Sequence, residues 1–208
     1  MRIEPERLAY WYLRLNGFLT ITNFLVHPET RRDHGTTEVD VLGVRFPFRS
    51  ENLTRPMTDD ELFTQHGTRL YLVIAEVKSG LCDLNGPWRN PENRNMEKVL
   101  AAIGVFPQSC WQTVAGSLYQ NGCFQDDTHL LSLLCIGRRS NEALQNSFNR
   151  VPQVTFDHIL RFIHGRLLEY LDVKAQHEQW DRDGKALWDT VSSHPRIDKF
   201  LEVVRVNM

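Results

Sequence analysis

Apolar positions recur along this chain with two different periods. From Pro5 to Leu15, the residues Leu8, Trp11, Tyr12 and Leu15 return at the spacing of one helical face, and Pro5 suits a first helical turn. Asn16-Gly17 then predicts the end of that helix. Phe18 to Val26, rich in Thr, Ile, Phe and Val, predicts a first strand. After a polar stretch from His27 to Gly35, Val39 and Val41 alternate with Glu38 and Asp40, so Thr37 to Phe46 predicts a second strand. Arg69 to Lys78 contains the unbroken apolar run Leu70 to Ala75, the pattern of a strand covered on both faces. Between these strands, Arg49 to Thr68 holds Pro56, Asp59, Asp60 and Gly67. It reads as an insertion with a helical turn near Asp60 to Phe63.

Further along, Asn90-Pro91 resembles a helix cap and first turn, followed by the stripe Met96, Val99, Leu100 and Ile103. A second helix is expected over Pro107 to Tyr119, a strand over His129 to Ile136 and a short strand over Gln153 to Phe156. Asp157 is expected to cap a helix whose stripe is Ile159, Leu160, Ile163, Leu167 and Leu171. From Gln179 onward, Trp180, Leu187, Trp188, Val191, Phe200, Leu201 and Val204 predict a packed helical tail. The class is therefore α/β: a central mixed β-sheet of four to five strands flanked by helices, with a helical C-terminal segment. The organisation expected is a core over residues 1–170, with 49–68 as an insertion between strands, and a packed helical extension over 171–208.

Composition narrows the functional classes. A chain of 208 residues, 41% hydrophobic and 24% charged, can bury one substantial core. Its apolar runs are far shorter than the roughly 20 residues that cross a bilayer, and Met-Arg-Ile-Glu-Pro-Glu-Arg is not a secretory signal, so a cytoplasmic location is the expectation. The four cysteines, Cys82, Cys110, Cys123 and Cys135, form no CxxC pair and are expected to be reduced. A net charge of -2 argues against a protein that coats nucleic acid by bulk charge; any such surface must be local.

Chemistry concentrates at two strand segments. Residues two apart in a strand share a face, so Glu38 projects with Asp40, and Glu76 with Lys78. If the two strands pair as an antiparallel hairpin, three carboxylates and one ammonium converge at one end of the sheet. Hard oxygen ligands of this kind suit Mg2+ or Mn2+. An ExK tripeptide is common, and its ordinary meaning is a surface ion pair. Order and context make it specific here.

Glu6 in a first helix, Asn16-Gly17-Phe18 opening a strand, Thr37-Glu38-Val39-Asp40-Val41-Leu42, and Leu72-Val73-Ile74-Ala75-Glu76-Val77-Lys78-Ser79-Gly80 follow one another in that order. This series resembles the PD-(D/E)xK, or restriction-endonuclease-like, nuclease superfamily, most nearly its Holliday-junction-resolvase-like branch. The resemblance covers about the first eighty residues. It implies a restriction-endonuclease-like core and Mg2+-dependent hydrolysis of phosphodiester bonds, with DNA as substrate. Asp40 and Glu76 would be the metal carboxylates, the Val77 carbonyl would complete the shell, and Lys78 would be the catalytic lysine. Glu6 and Glu38 would assist. No proline precedes Asp40, and the insertion exceeds a usual hairpin turn; that insertion is a candidate substrate-contact element.

Trp88, Arg89, Arg94, Asn95 and Lys98 follow the motif and are candidate phosphate contacts, as are Arg138 and Arg139 after the Ile136-Gly137 strand end. An ordinary polar helix face or solvated turn would read the same way. The histidines show no HxH or HExxH spacing, and the GxxxxGK[ST], GxGxxG and GxSxG signatures are absent. A homodimer is one option for the oligomeric state, since two cuts in a duplex invite two active sites. The competing class is a catalytically silent nuclease-fold protein that binds nucleic acid or assembles a complex.

Overall fold

The computed structural model describes residues 1–28, 37–175 and 181–207; Trp180, His34 and His177 lie outside them. In chain order the elements are β1 (Arg2–Ile3), α1 (Pro5–Leu15), β2 (Phe18–Val26), β3 (Thr37–Arg45), α2 (Glu61–Thr64) and β4 (Leu70–Val77). There follow α3 (Asn95–Ile103), α4 (Trp111–Asn121), β5 (Cys123–Gln125), β6 (His129–Gly137), α5 (Glu142–Ser147), β7 (Gln153–Thr155) and α6 (Phe156–Glu169). The chain closes with α7 (Leu171–Lys174), α8 (Arg182–Ser193), α9 (Ile197–Val203) and β8 (Arg205–Val206).

Strands β2, β3 and β4 form an antiparallel meander, and β4 pairs in parallel with β6. β5 and β7 share the far edge of β6, β5 antiparallel to Leu130–Ser132 and β7 parallel to Cys135–Gly137. The described sheet thus has six strands and is mixed, but only five strands wide. A separate parallel pair, β1 with β8, joins the two ends of the described chain.

Each face of the sheet has its own apolar layer. Val41, Tyr71, Val73, Ala75, Val77 and Leu134 pack with α1, α6 and the C-terminal residues Leu187, Val191 and Phe200. Leu42, Leu72, Ile74, Leu131 and Leu133 pack with Met96, Val99 and Leu100 of α3 and Val114 and Leu118 of α4. Cover on both faces is why β4 reads as a continuous apolar run. The cap of α6 differs from the sequence expectation: the Thr155 side chain accepts from the His158 N–H at 3.3 Å, while Asp157 sits in the first turn and pairs with Arg161.

The insertion joins the end of β3 at Arg45 to the start of β4 at Leu70. It therefore lies at the end of the hairpin opposite Asp40 and Glu76. At a rise of about 3.4 Å per residue, Arg45 is ~17 Å from Asp40 along the strand. Any substrate contact from this segment would lie about that far from the two carboxylates. The segment is anchored to the fold: Asp59 accepts from Arg45 and Arg166, each at 2.7 Å, and pairs with Arg49. Arg45 Nε also reaches the carbonyl of Asn16 at 3.0 Å. Gly17, which ends α1 at φ 82°, lies against the Arg49 side chain, and a Cβ there would run into it. Gly17→Ala is expected to cost about 1–3 kcal/mol, read as a lower urea midpoint at unchanged slope.

Candidate active site

The hairpin register pairs Val41 with Ala75, so the next residues along the two strands are Asp40 and Glu76. Regular pairing between β3 and β4 stops there. In its place Asp40 Oδ2 accepts the backbone N–H of Val77 at 2.6 Å. Glu76 is almost wholly buried, at 2% exposure, yet both its oxygens have partners. Lys78 Nζ donates to Oε1, and the indole N–H of Trp88 donates to Oε2 at 2.7 Å. Lys78 Nζ also donates to Asn85 Oδ1 at 2.7 Å, which fixes the ammonium between two acceptors. A buried carboxylate is tolerable only when paired and hydrogen-bonded in this way.

A change of phase in β3 aims Asp40. Leu42 and Val44 face the α3 and α4 layer and Val41 faces α1 and α6, as strict alternation requires. Val39, however, packs on the α3 side although it lies two residues from Val41. The alternation slips at Asp40. Opposite it in β2, Asn23 takes a left-handed conformation with φ 53°, and these two residues drop out of an otherwise continuous pairing from Thr22↔Val41 to Phe24↔Val39. Local irregularities of this kind re-aim side chains at functional sites.

The electrostatics are those of crowded acids. Burial raises the Asp40 carboxyl to about 6 against the pull of the Val77 N–H; the charges of Glu76 and, more weakly, Glu6 add to the rise, and Lys78 opposes it. Glu6 thus acts on Asp40 from the first turn of α1. Glu38 is exposed, and the two-residue alternation that predicted its shared face with Asp40 is interrupted at Asp40.

No protein-family model, curated protein or solved structure matches this chain. The site must be judged on its own chemistry.

Several sequence-predicted contacts are relocated. Trp88 is 1% exposed and holds Glu76 rather than a phosphate. Asn95 is fully buried, its amide donating to the Pro87 carbonyl at 3.4 Å, so it is not available to a phosphate either. Arg94 is exposed and lies 3.8 Å from Glu97, while Arg89 pairs with Asp83. Lys98 is partly buried on α3; Arg138 and Arg139 are exposed beyond β6. Asn85 was not anticipated, since nothing in its sequence neighbourhood marks it as the acceptor for Lys78.

Among the described residues, no three His, Cys, Asp or Glu side chains gather closely enough to hold a metal ion. A cation here would rest on two carboxylates and one backbone carbonyl, a hard-oxygen set of the size Mg2+ or Mn2+ uses when water and phosphate fill the other positions. A carboxyl raised mainly by burial, and further by the charges of Glu76 and Glu6, is one that an added positive charge would relieve, so the donor set fits. Trp88→Phe is expected to leave Glu76 Oε2 unpaired in the interior and to cost about 1–3 kcal/mol in chemical denaturation.

Proposed function

We propose that this protein is a metal-dependent nuclease of the PD-(D/E)xK type that hydrolyses phosphodiester bonds, with DNA as the expected substrate. The observation that carries the reading is the convergence of Asp40, Glu76 and Lys78 at the carboxyl end of β4, with Asp40 held by Val77 and Glu76 held by Lys78 and Trp88. A helix, an antiparallel meander and a parallel crossover to β6 also agree with a restriction-endonuclease-like core.

Asp40, Glu76 and the Val77 carbonyl would hold Mg2+ or Mn2+, which when bound would polarise a phosphoryl oxygen and acidify water. The chain's own groups do the rest. Lys78, oriented by Asn85, presents a positive charge where negative charge develops on phosphorus. Trp88 and the Val77 N–H keep the two carboxylates from turning away. Glu6 adds a third negative group beside Asp40. One observation favours the silent-scaffold reading: both oxygens of Glu76 are already satisfied within the protein.

Incubation of the pure protein with plasmid, single-stranded and branched DNA, in Mg2+, Mn2+ or EDTA, separates the two. Metal-dependent cutting that disappears in both Lys78→Ala and Asp40→Ala is the expected result. Cutting that survives both substitutions, or binding with no cutting in any metal, would overturn the nuclease reading.

A further inference from the structure

Beside the candidate site lies a cleft of about 1070 Å³. Glu6 and Ser79 line its near side, Glu6 being the residue that acts on Asp40 and Ser79 the one that follows Lys78. Arg138 at the end of β6 and the paired ends of the described chain complete it. We propose that this cleft carries one strand of a nucleic acid into the site, so that the substrate enters as a single strand. The inference rests on the nuclease reading and specifies its substrate.

The terminal pair supplies the first argument. The register of β1 and β8 sets Arg2 directly beside Arg205, and both are exposed. Like charges in register across a strand pair destabilise it. Backbone bonds hold the pair all the same: Arg205 N–H donates to the Met1 carbonyl at 2.9 Å, and Asn207 N–H to the Ile3 carbonyl at 2.8 Å. Arg205 also reaches the Leu201 carbonyl at 2.9 Å. Neither of these arginines, nor Arg138, forms a salt bridge with a described residue. The other acids of the cleft are engaged, Glu4 by the Asn207 amide and Asp157 by Arg161 at 2.7 Å. Arg205 does feel the charge of Glu202, which Lys199 holds, but three guanidiniums around one cleft, none in a salt bridge, suit phosphate groups, which take the planar donor fork bidentately.

The dimensions supply the second argument. Clefts and cavities of roughly 300–1,000 Å³ take a single drug-sized molecule. A cleft of about 1070 Å³ therefore takes a short length of one strand, while a double helix would lie across its open mouth. A continuous duplex would have to open before a scissile phosphate reached Asp40 by this route.

Fluorescence anisotropy in EDTA tests the assignment with a labelled single-stranded oligonucleotide, a blunt duplex of the same length, and the Arg2→Ala/Arg138→Ala double variant. The wild type is expected to prefer the single strand. The double variant should lose roughly ten-fold or more in single-strand affinity, and two lost phosphate contacts should flatten the slope of log affinity against log salt by about 1.4. Lysine at both positions should restore the slope but not the full affinity, because it keeps the charge and lacks the fork. Equal binding of duplex and single strand, or an unchanged salt slope in the double variant, would overturn the cleft assignment. Cleavage in Mg2+ that still depends on Lys78 would leave the nuclease reading standing in that case. A wild type that neither binds nor cuts any nucleic acid overturns both.

Discussion

Asp40→Asn is expected to reduce metal-dependent cleavage at least roughly 100-fold while stabilising the metal-free protein by about 1–2 kcal/mol. The two effects share a cause. Asp40 sits near Glu76 and Glu6, partly buried, with Lys78 already committed to Glu76 and Asn85. Asparagine keeps an oxygen for the Val77 N–H and removes one of the crowded negative charges, so the metal-free fold gains what the acid cluster cost it. The same change removes a hard anionic ligand. Such opposed effects are the signature of groups held together for function at the expense of stability. Urea denaturation in EDTA, beside plasmid cleavage in Mg2+, reads both quantities. An Asp40→Asn protein that is less stable than wild type would mean that Asp40 is a structural anchor for Val77 and that the crowding argument fails.

Much of this site was legible because it depends on short-range geometry. Glu76 and Lys78 share a face by strand alternation alone, and the end of a buried run is a costly place for unpaired charge. Asp40 joins them through the hairpin register, which two apolar segments and an intervening loop are enough to suggest. Glu38 was assigned Asp40's face on the assumption that alternation runs through Asp40, whereas the left-handed Asn23 in the partner strand interrupts the pairing there. A break of that kind belongs to two strands together and has no mark in either one. Trp88 and Asn95 show the same limit in another form. Both lie in a polar stretch that reads as surface, yet one is buried against Glu76 and the other beneath Pro87. In the fold, the long elements β2, β3, β4, β6, α1 and α6 carry full periods and were predicted. β1, β5 and β8, each of two or three residues, are too short to carry one, and their pairing is a tertiary event.

Asp59→Ala is expected to cost about 3–5 kcal/mol without changing catalysis at a temperature where the variant remains folded. Asp59 is the acceptor for three arginines, Arg45, Arg49 and Arg166, and its side chain is only 6% exposed. Arg166 is fully buried, its Nε has no hydrogen-bond partner, and Asp59 at 2.7 Å is its nearer carboxylate, Glu51 lying at 3.4 Å. Without Asp59, Arg45 keeps only the Asn16 carbonyl and Arg49 and Arg166 must share Glu51, so buried positive charge is left under-compensated, which is far more costly than losing a surface pair. The sign of the pH dependence follows. Burial alone would raise the Asp59 carboxyl, but hydrogen bonds from Arg45, Arg166 and Arg49 outweigh it and hold the group below the ordinary 3.8. The stabilisation is therefore present above about pH 4 and is lost as pH falls through the depressed value. Wild type should lose stability steeply in that acid range, and Asp59→Ala should lack this part of the slope. Cleavage at neutral pH should be unaffected, because the cluster sits at the end of the β3 and β4 hairpin away from Asp40 and Glu76. A variant of normal stability would mean that the three arginines find other partners, and a stable variant with impaired cleavage would tie the insertion to the site after all.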